Sequence, residues 1–82
     1  MTYTVIILKR AQKEARKISE KDRKRVTKPI ESLQTDPFRG KQLQGDFDGV
    51  WAIRVWSFRI MYTIKKDIVT VTVLRIGHRK SV

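Results

Sequence analysis

From Thr2 to Leu8 the chain reads Thr-Tyr-Thr-Val-Ile-Ile-Leu, the β-branched and aromatic composition of a strand. At Lys9 the period changes. Leu8, Ala11, Ala15 and Ile18 recur at helical spacing, with Lys9, Lys13, Arg16 and Lys17 on the outer faces. Ser19 followed by Asp22 has the form of a capping box, so one helix ends near Ile18 and a second starts near Glu20. Val26, Ile30 and Leu33 line the second helix at i, i+4 and i+7. Pro29 interrupts it by removing a backbone donor, and a kink rather than a stop is expected because the apolar stripe continues past it. Thr35-Asp36-Pro37 closes the helix, since the residue before a proline is pushed toward extended geometry.

Phe38 to Gly49 carries Gly40, Gly45 and Gly49 among polar residues and reads as a connecting loop. The period then becomes two. Val50 to Trp56 is a strand, Ser57 lies near a turn, Phe58 to Ile64 is the antiparallel partner, and Ile68 to Ile76 follows Lys65-Lys66-Asp67 as a third strand. The order strand-helix-helix-strand-strand-strand gives a two-layer α+β domain over residues 1–82, with an antiparallel sheet packed on two N-terminal helices.

Composition narrows the function. The 82 residues hold 19 Lys plus Arg against 8 Asp plus Glu, a formal net charge of +11. A small folded domain that basic is expected to meet a polyanion, RNA or DNA first, or an acidic protein. There is no cysteine and one histidine, so neither a disulfide framework nor a metal or cofactor site is expected. The apolar runs are a few residues long, which excludes a membrane span, and the alternating N-terminus is not a signal peptide; the expected location is the cytoplasm.

Four pieces in order then carry a resemblance: Leu43-Gln44-Gly45, Val50-Trp51-Ala52-Ile53-Arg54-Val55, Phe58-Arg59-Ile60-Met61-Tyr62, and Val73-Leu74-Arg75-Ile76-Gly77-His78-Arg79. Together they resemble the RelE/ParE superfamily of bacterial and archaeal toxins over essentially the whole chain. The resemblance implies the RelE-like fold and a toxin neutralised by a cognate, usually acidic antitoxin, with operator DNA met only through that antitoxin. RelE-like members enter the ribosome and cut mRNA as metal-independent endoribonucleases, inhibiting translation. ParE-like members share the fold and inhibit DNA gyrase instead. A third outcome is an inactive relative that binds antitoxin and acts as a co-repressor.

Metal-free RNA cleavage needs a group to take the 2′-hydroxyl proton, another to protonate the leaving 5′-oxygen, and fixed cations for the phosphorane. Guanidinium suits the last role, being planar, bidentate and permanently charged. Arg54 and Arg59 lie on adjacent strands of the expected hairpin and Arg79 follows the third strand, so the three are expected to converge on one sheet edge. The resemblance makes Arg59 a phosphate clamp, Arg79 the C-terminal catalytic arginine, and Arg54 a residue for proton transfer or charge stabilisation. His78 is the one side chain whose ordinary pKa lies near neutrality. It reads first as shaping the exit from the last strand and second as a base, for which its basic neighbours would hold its pKa low.

Two departures weaken the nuclease expectation. Ala52 stands where familiar RelE-like members carry a second lysine. The family's C-terminal tyrosine has no counterpart, because the sequence ends at Ser81-Val82; weakened cleavage is the expectation. Ten basic residues against three acidic ones load the helical segment 9–28. Lys13, Arg16, Lys17 and Lys24, with Lys80 near the C-terminus, are candidate RNA-positioning residues, although the helical ones equally form an ordinary solvated face. Trp51 is expected in the core, while Trp56 beside the turn is placed to stack a base or meet the antitoxin.

Overall fold

The computed structural model describes residues 2–45 and 49–77 and the backbone of residue 78. The elements run β1 (Thr4–Ile7), α1 (Lys9–Lys17), α2 (Glu20–Ser32), β2 (Lys41–Gln42), β3 (Val50–Val55), β4 (Phe58–Lys65) and β5 (Thr70–His78). They form one five-stranded sheet in the order β1-β5-β4-β3-β2, with both helices on one face. This is the two-layer α+β arrangement expected. The sheet is mixed rather than wholly antiparallel, because two successive helices return the chain to the side it left and β1 pairs parallel with β5.

Ser19 caps α2 as anticipated, its Oγ accepting from the Asp22 N–H at 3.2 Å. Glu20 and Asp22 in the first turn complement the helix dipole. Pro29 lies inside the helix, which continues to Ser32. At the end of α1, where many helices use glycine, a side chain does the capping. The Arg23 guanidinium donates to the carbonyls of Ala15 at 3.2 Å, Arg16 at 3.4 Å and Ile18 at 3.2 Å.

The core joins Ala11, Val26, Ile30 and Leu33 from the helices to Ile53, Val55, Phe58, Ile60, Tyr62, Val71, Val73 and Ile76 from the sheet. Fully burying an aliphatic side chain such as Leu33 or Ile60 contributes about 1.5–3 kcal/mol. Leu8, placed on the stripe by sequence, is largely exposed at the start of α1, where the chain turns from strand to helix.

Two details of β5 bear on the edge of the sheet. Its ladder with β4 slips between Met61 and Tyr62, which face Arg75 and Val73 and leave Leu74 as an extra residue. The β1 register ends at Ile7 opposite Val73, and beyond it Glu14 of α1 takes the place of a strand. One Glu14 carboxylate oxygen accepts from the Ile76 N–H at 2.9 Å and the other from the Arg75 guanidinium at 2.8 Å. Burial pushes the Glu14 carboxyl up, but the bonds from Arg75 and Ile76 outweigh it and hold it below its ordinary value.

Candidate nucleic-acid interface

The β3–β4 hairpin builds the site. Val55 faces Phe58 across a two-residue turn, Trp56–Ser57, which sets the register for the whole ladder. Ile53, Val55, Phe58 and Ile60 therefore point into the helix-covered core, while Arg54 and Arg59 point out on the open face. The register makes those two arginines direct cross-strand partners, with Cβ atoms about 4.5–5.5 Å apart. Arg59 in turn faces Gly77 on β5, where a Cβ added to the glycine would meet nothing within 4 Å. Among the described residues neither arginine is in a salt bridge.

Beside the pair lies a groove of about 860 Å³, lined by Arg39, Lys41, Leu43, Gln44, Ala52, Arg54 and Arg59 among others. Among the described residues no carboxylate lines it. Its outer wall is the segment read as loop by sequence, which instead holds a 3-10 turn at Pro37–Arg39 and the two-residue strand β2. Lys41 there faces Ala52. A two-residue strand has no period to detect, so the pattern of the sequence does not single out Arg39 and Lys41.

A buried phenol holds this wall in place. The Tyr62 hydroxyl donates to the Pro37 carbonyl at 2.7 Å and accepts from the Gly40 N–H at 3.2 Å. Burial raises its pKa above the ordinary 10.0, keeping it a donor. Gly40 can be nothing larger without movement, since a Cβ there would stand 2.5 Å from the Tyr62 hydroxyl and 2.8 Å from the Ala52 carbonyl. Trp51 packs between Tyr62, with ring centroids 6.5 Å apart, and Phe38, at 5.6 Å. It is half-buried rather than central.

Trp56 stands at the hairpin tip, 67% exposed, with a left-handed φ of 54° that bulky residues seldom adopt. The Arg25 guanidinium carbon lies 4.2 Å from its ring centroid, a cation–π contact reaching up from α2. Lys13, Arg16, Lys17 and Lys24 are exposed on the helical layer. That places them on the side of the sheet opposite Arg54 and Arg59, so the described residues present basic side chains on both sides of the sheet. Of the expected convergence of Arg54, Arg59 and Arg79, the described residues bring together Arg54 and Arg59, on the open face of the hairpin where strand alternation directs them. Arg79, Lys80 and the His78 side chain lie outside the described residues.

The family described as "ParE toxin of type II toxin-antitoxin system, parDE" matches residues 5–82. The chain belongs to the ParE toxin family. It is a toxin of a type II toxin–antitoxin system within the RelE/ParE group. A RelBE toxin–antitoxin complex of Mycobacterium tuberculosis is similar at 28% identity and a TM-score of 0.89, over 96% of this chain and 100% of that one. The toxin in the intact RelBE complex of Escherichia coli is similar at 26% identity and a TM-score of 0.77, over 93% and 95%. The ParDE system of Pseudomonas aeruginosa, at 15% identity and a TM-score of 0.77 over 94% and 96%, shares the fold. No curated protein matches the sequence.

Proposed function

We propose that this toxin is a RelE-like endoribonuclease that cuts ribosome-bound mRNA and so inhibits translation. The observation that carries the reading is the arginine pair. Like charges directly opposite on a ladder are destabilising, and no described carboxylate relieves them. An anion seated between the two guanidinium groups converts that cost into binding.

In the reaction the 2′-oxygen of one nucleotide bonds to the adjacent phosphorus as the bond from phosphorus to the 5′-oxygen breaks. Arg59, with Arg54 beside it, stabilises the added negative charge on the non-bridging oxygens. The proton of the 2′-hydroxyl passes to a base and the 5′-oxygen receives one. His78, which follows Gly77 in the sequence, is the residue proposed to take the first proton and, as imidazolium, to supply the second; Arg79 after it is proposed as a further fixed cation for the phosphorane. Lys13, Arg16, Lys17 and Lys24, with Trp56 at the hairpin tip and Lys80, would hold ribosomal RNA. As in the RelBE relatives, the chain pairs with an antitoxin, which holds it inactive. A basic toxin calls for an acidic one, with operator DNA reached through it.

The second reading is gyrase inhibition, favoured by the match to the ParE family and by Ala52, which puts a methyl group where a second proton-carrying side chain would serve cleavage. Primer extension on a reporter mRNA translated by purified ribosomes decides between them. The parent protein is expected to produce new 3′ ends, and Arg59→Ala to reduce their rate about 10²–10³-fold with stability unchanged within about 0.5 kcal/mol. No cleavage by the parent together with loss of gyrase supercoiling would reverse the assignment.

A further inference from the structure

We propose that Lys41 is the third phosphate-binding cation of the groove, and that the groove seats a stretch of single-stranded RNA obliquely across β4, β3 and β2. The proposal rests on the ribonuclease reading above and extends it to a residue on a different element.

The register carries the argument. Lys41 faces Ala52 across the β2–β3 ladder, and Arg54 lies two residues along β3 on the same face. Lys41 is thus the diagonal neighbour of Arg54, about 7–8 Å away, and Arg54 is the direct neighbour of Arg59. The three cations descend in one line across three strands. That line is longer than one phosphate can bridge, so it matches successive phosphates of a strand. From β2 to β4 the three cations span two strand spacings, about 10 Å across the sheet, which a single strand crosses with successive phosphates.

Side-chain size and anchoring agree. Ala52 offers only a methyl group beside Lys41, which leaves the lysine stem free to cross the groove floor. Lys41 is exposed and has no ion pair among the described residues. Its backbone, however, is fixed by the Tyr62 hydroxyl bond to the preceding Gly40. The other cation of that wall is already engaged, the Arg39 guanidinium donating to Ser32 Oγ at 2.5 Å. A mobile ammonium on a fixed backbone suits a contact that positions a phosphate without reading sequence.

The test is binding of a fluorescent, uncleavable 2′-O-methyl RNA decamer to the full chain, freed of antitoxin, by anisotropy over a range of salt. Each phosphate contact on a single strand contributes about 0.7 to the slope of log K against log salt. Lys41→Gln is expected to reduce that slope by about 0.7 and to weaken binding alike for all sequences. Lys41→Arg is expected to keep it. Ala52→Lys in the Lys41→Gln background, which returns the charge from the opposite strand, is expected to restore it. Lys65→Gln, at the far end of β4, is the control and should match the parent. A Lys41→Gln slope equal to that control, while Arg59→Gln lowers it, overturns the assignment of Lys41 and leaves the groove standing. Slopes unchanged in both Lys41→Gln and Arg59→Gln overturn the assignment and the groove reading together.

Discussion

Gly40→Ala tests how the groove wall is held. The added Cβ would stand 2.5 Å from the Tyr62 hydroxyl, 2.8 Å from the Ala52 carbonyl and 3.1 Å from the Ile53 side chain. The hydroxyl is committed to Pro37 and Gly40, and the carbonyl belongs to β3, so neither yields freely. Overpacking of this kind costs about 1–3 kcal/mol. Tyr62→Phe removes two hydrogen bonds worth about 0.5–1.5 kcal/mol each. The two changes meet at one oxygen, and that makes the double variant informative. With the hydroxyl gone, the closest contact of the new methyl disappears, so Gly40→Ala in the Tyr62→Phe background should cost less than in the parent, with a coupling of at least about 1 kcal/mol. Urea unfolding of the four proteins measures it. In thermal melts a loss of 1 kcal/mol lowers Tm by about 4–8 °C for a domain of this size, so the single variants separate clearly from the parent. Strict additivity would show that the methyl is accommodated elsewhere and that Tyr62 does not hold the wall through Gly40.

Two further outcomes follow from the opposite edge of the sheet and from the last turn. The Glu14 carboxyl titrates below its ordinary value of 4.5, so its contribution is complete above that pH and is lost as pH falls through the lowered value; the stability gap between parent and Glu14→Gln, from urea midpoints, should be constant above about pH 6 and shrink in acid, and a gap that widens in acid would refute the assignment. Val69, a β-branched residue held at φ 49° and ψ 50°, carries a left-handed penalty of about 1–2 kcal/mol; Val69→Asn should therefore raise the unfolding midpoint, and a lowered one would mean that its half-buried packing outweighs the strain.

The parts legible in sequence were those with a period. The stripes through Val26, Ile30 and Leu33 and the alternation of β3 and β4 placed both helices and the hairpin, and the Ser19 cap fixed where α2 begins. Alternation also placed Arg54 and Arg59 on neighbouring strands, although it took the register to make them direct partners. What escaped has no period. Strand β2 is two residues long and is held by a tyrosine twenty-two positions from Gly40. The parallel pairing of β1 with β5 is a matter of chain return, and Glu14 standing in for a strand at Ile76 joins residues 62 positions apart. Strand β5 begins at Thr70 rather than Ile68, because residues 66–68 close a 3-10 turn on the left-handed Val69. Lys41 belongs to this class, and so a candidate binding residue stayed hidden while the arginines did not.

The distribution of costs across the molecule separates its two faces. On the helix-covered side local choices agree with one another: Ser19 caps α2, Arg23 caps α1, and apolar residues from both layers fill the core. On the open side they conflict. Two arginines face each other there without a described counter-ion, and at the hairpin tip Trp56, in contact with Arg25 of α2, takes a left-handed conformation while remaining mostly exposed. The two-residue turn needs a positive φ at its first position but is better served there by glycine or asparagine than by tryptophan, and a ladder is better served by opposite charges. Folding alone supplies no reason to keep residues that oppose it. Strain and unpaired charge gather where a protein meets a ligand, and here both fall on the β3–β4 hairpin. The same hairpin forms the floor of the groove, so an anion bound there relieves the charge conflict that the free toxin carries.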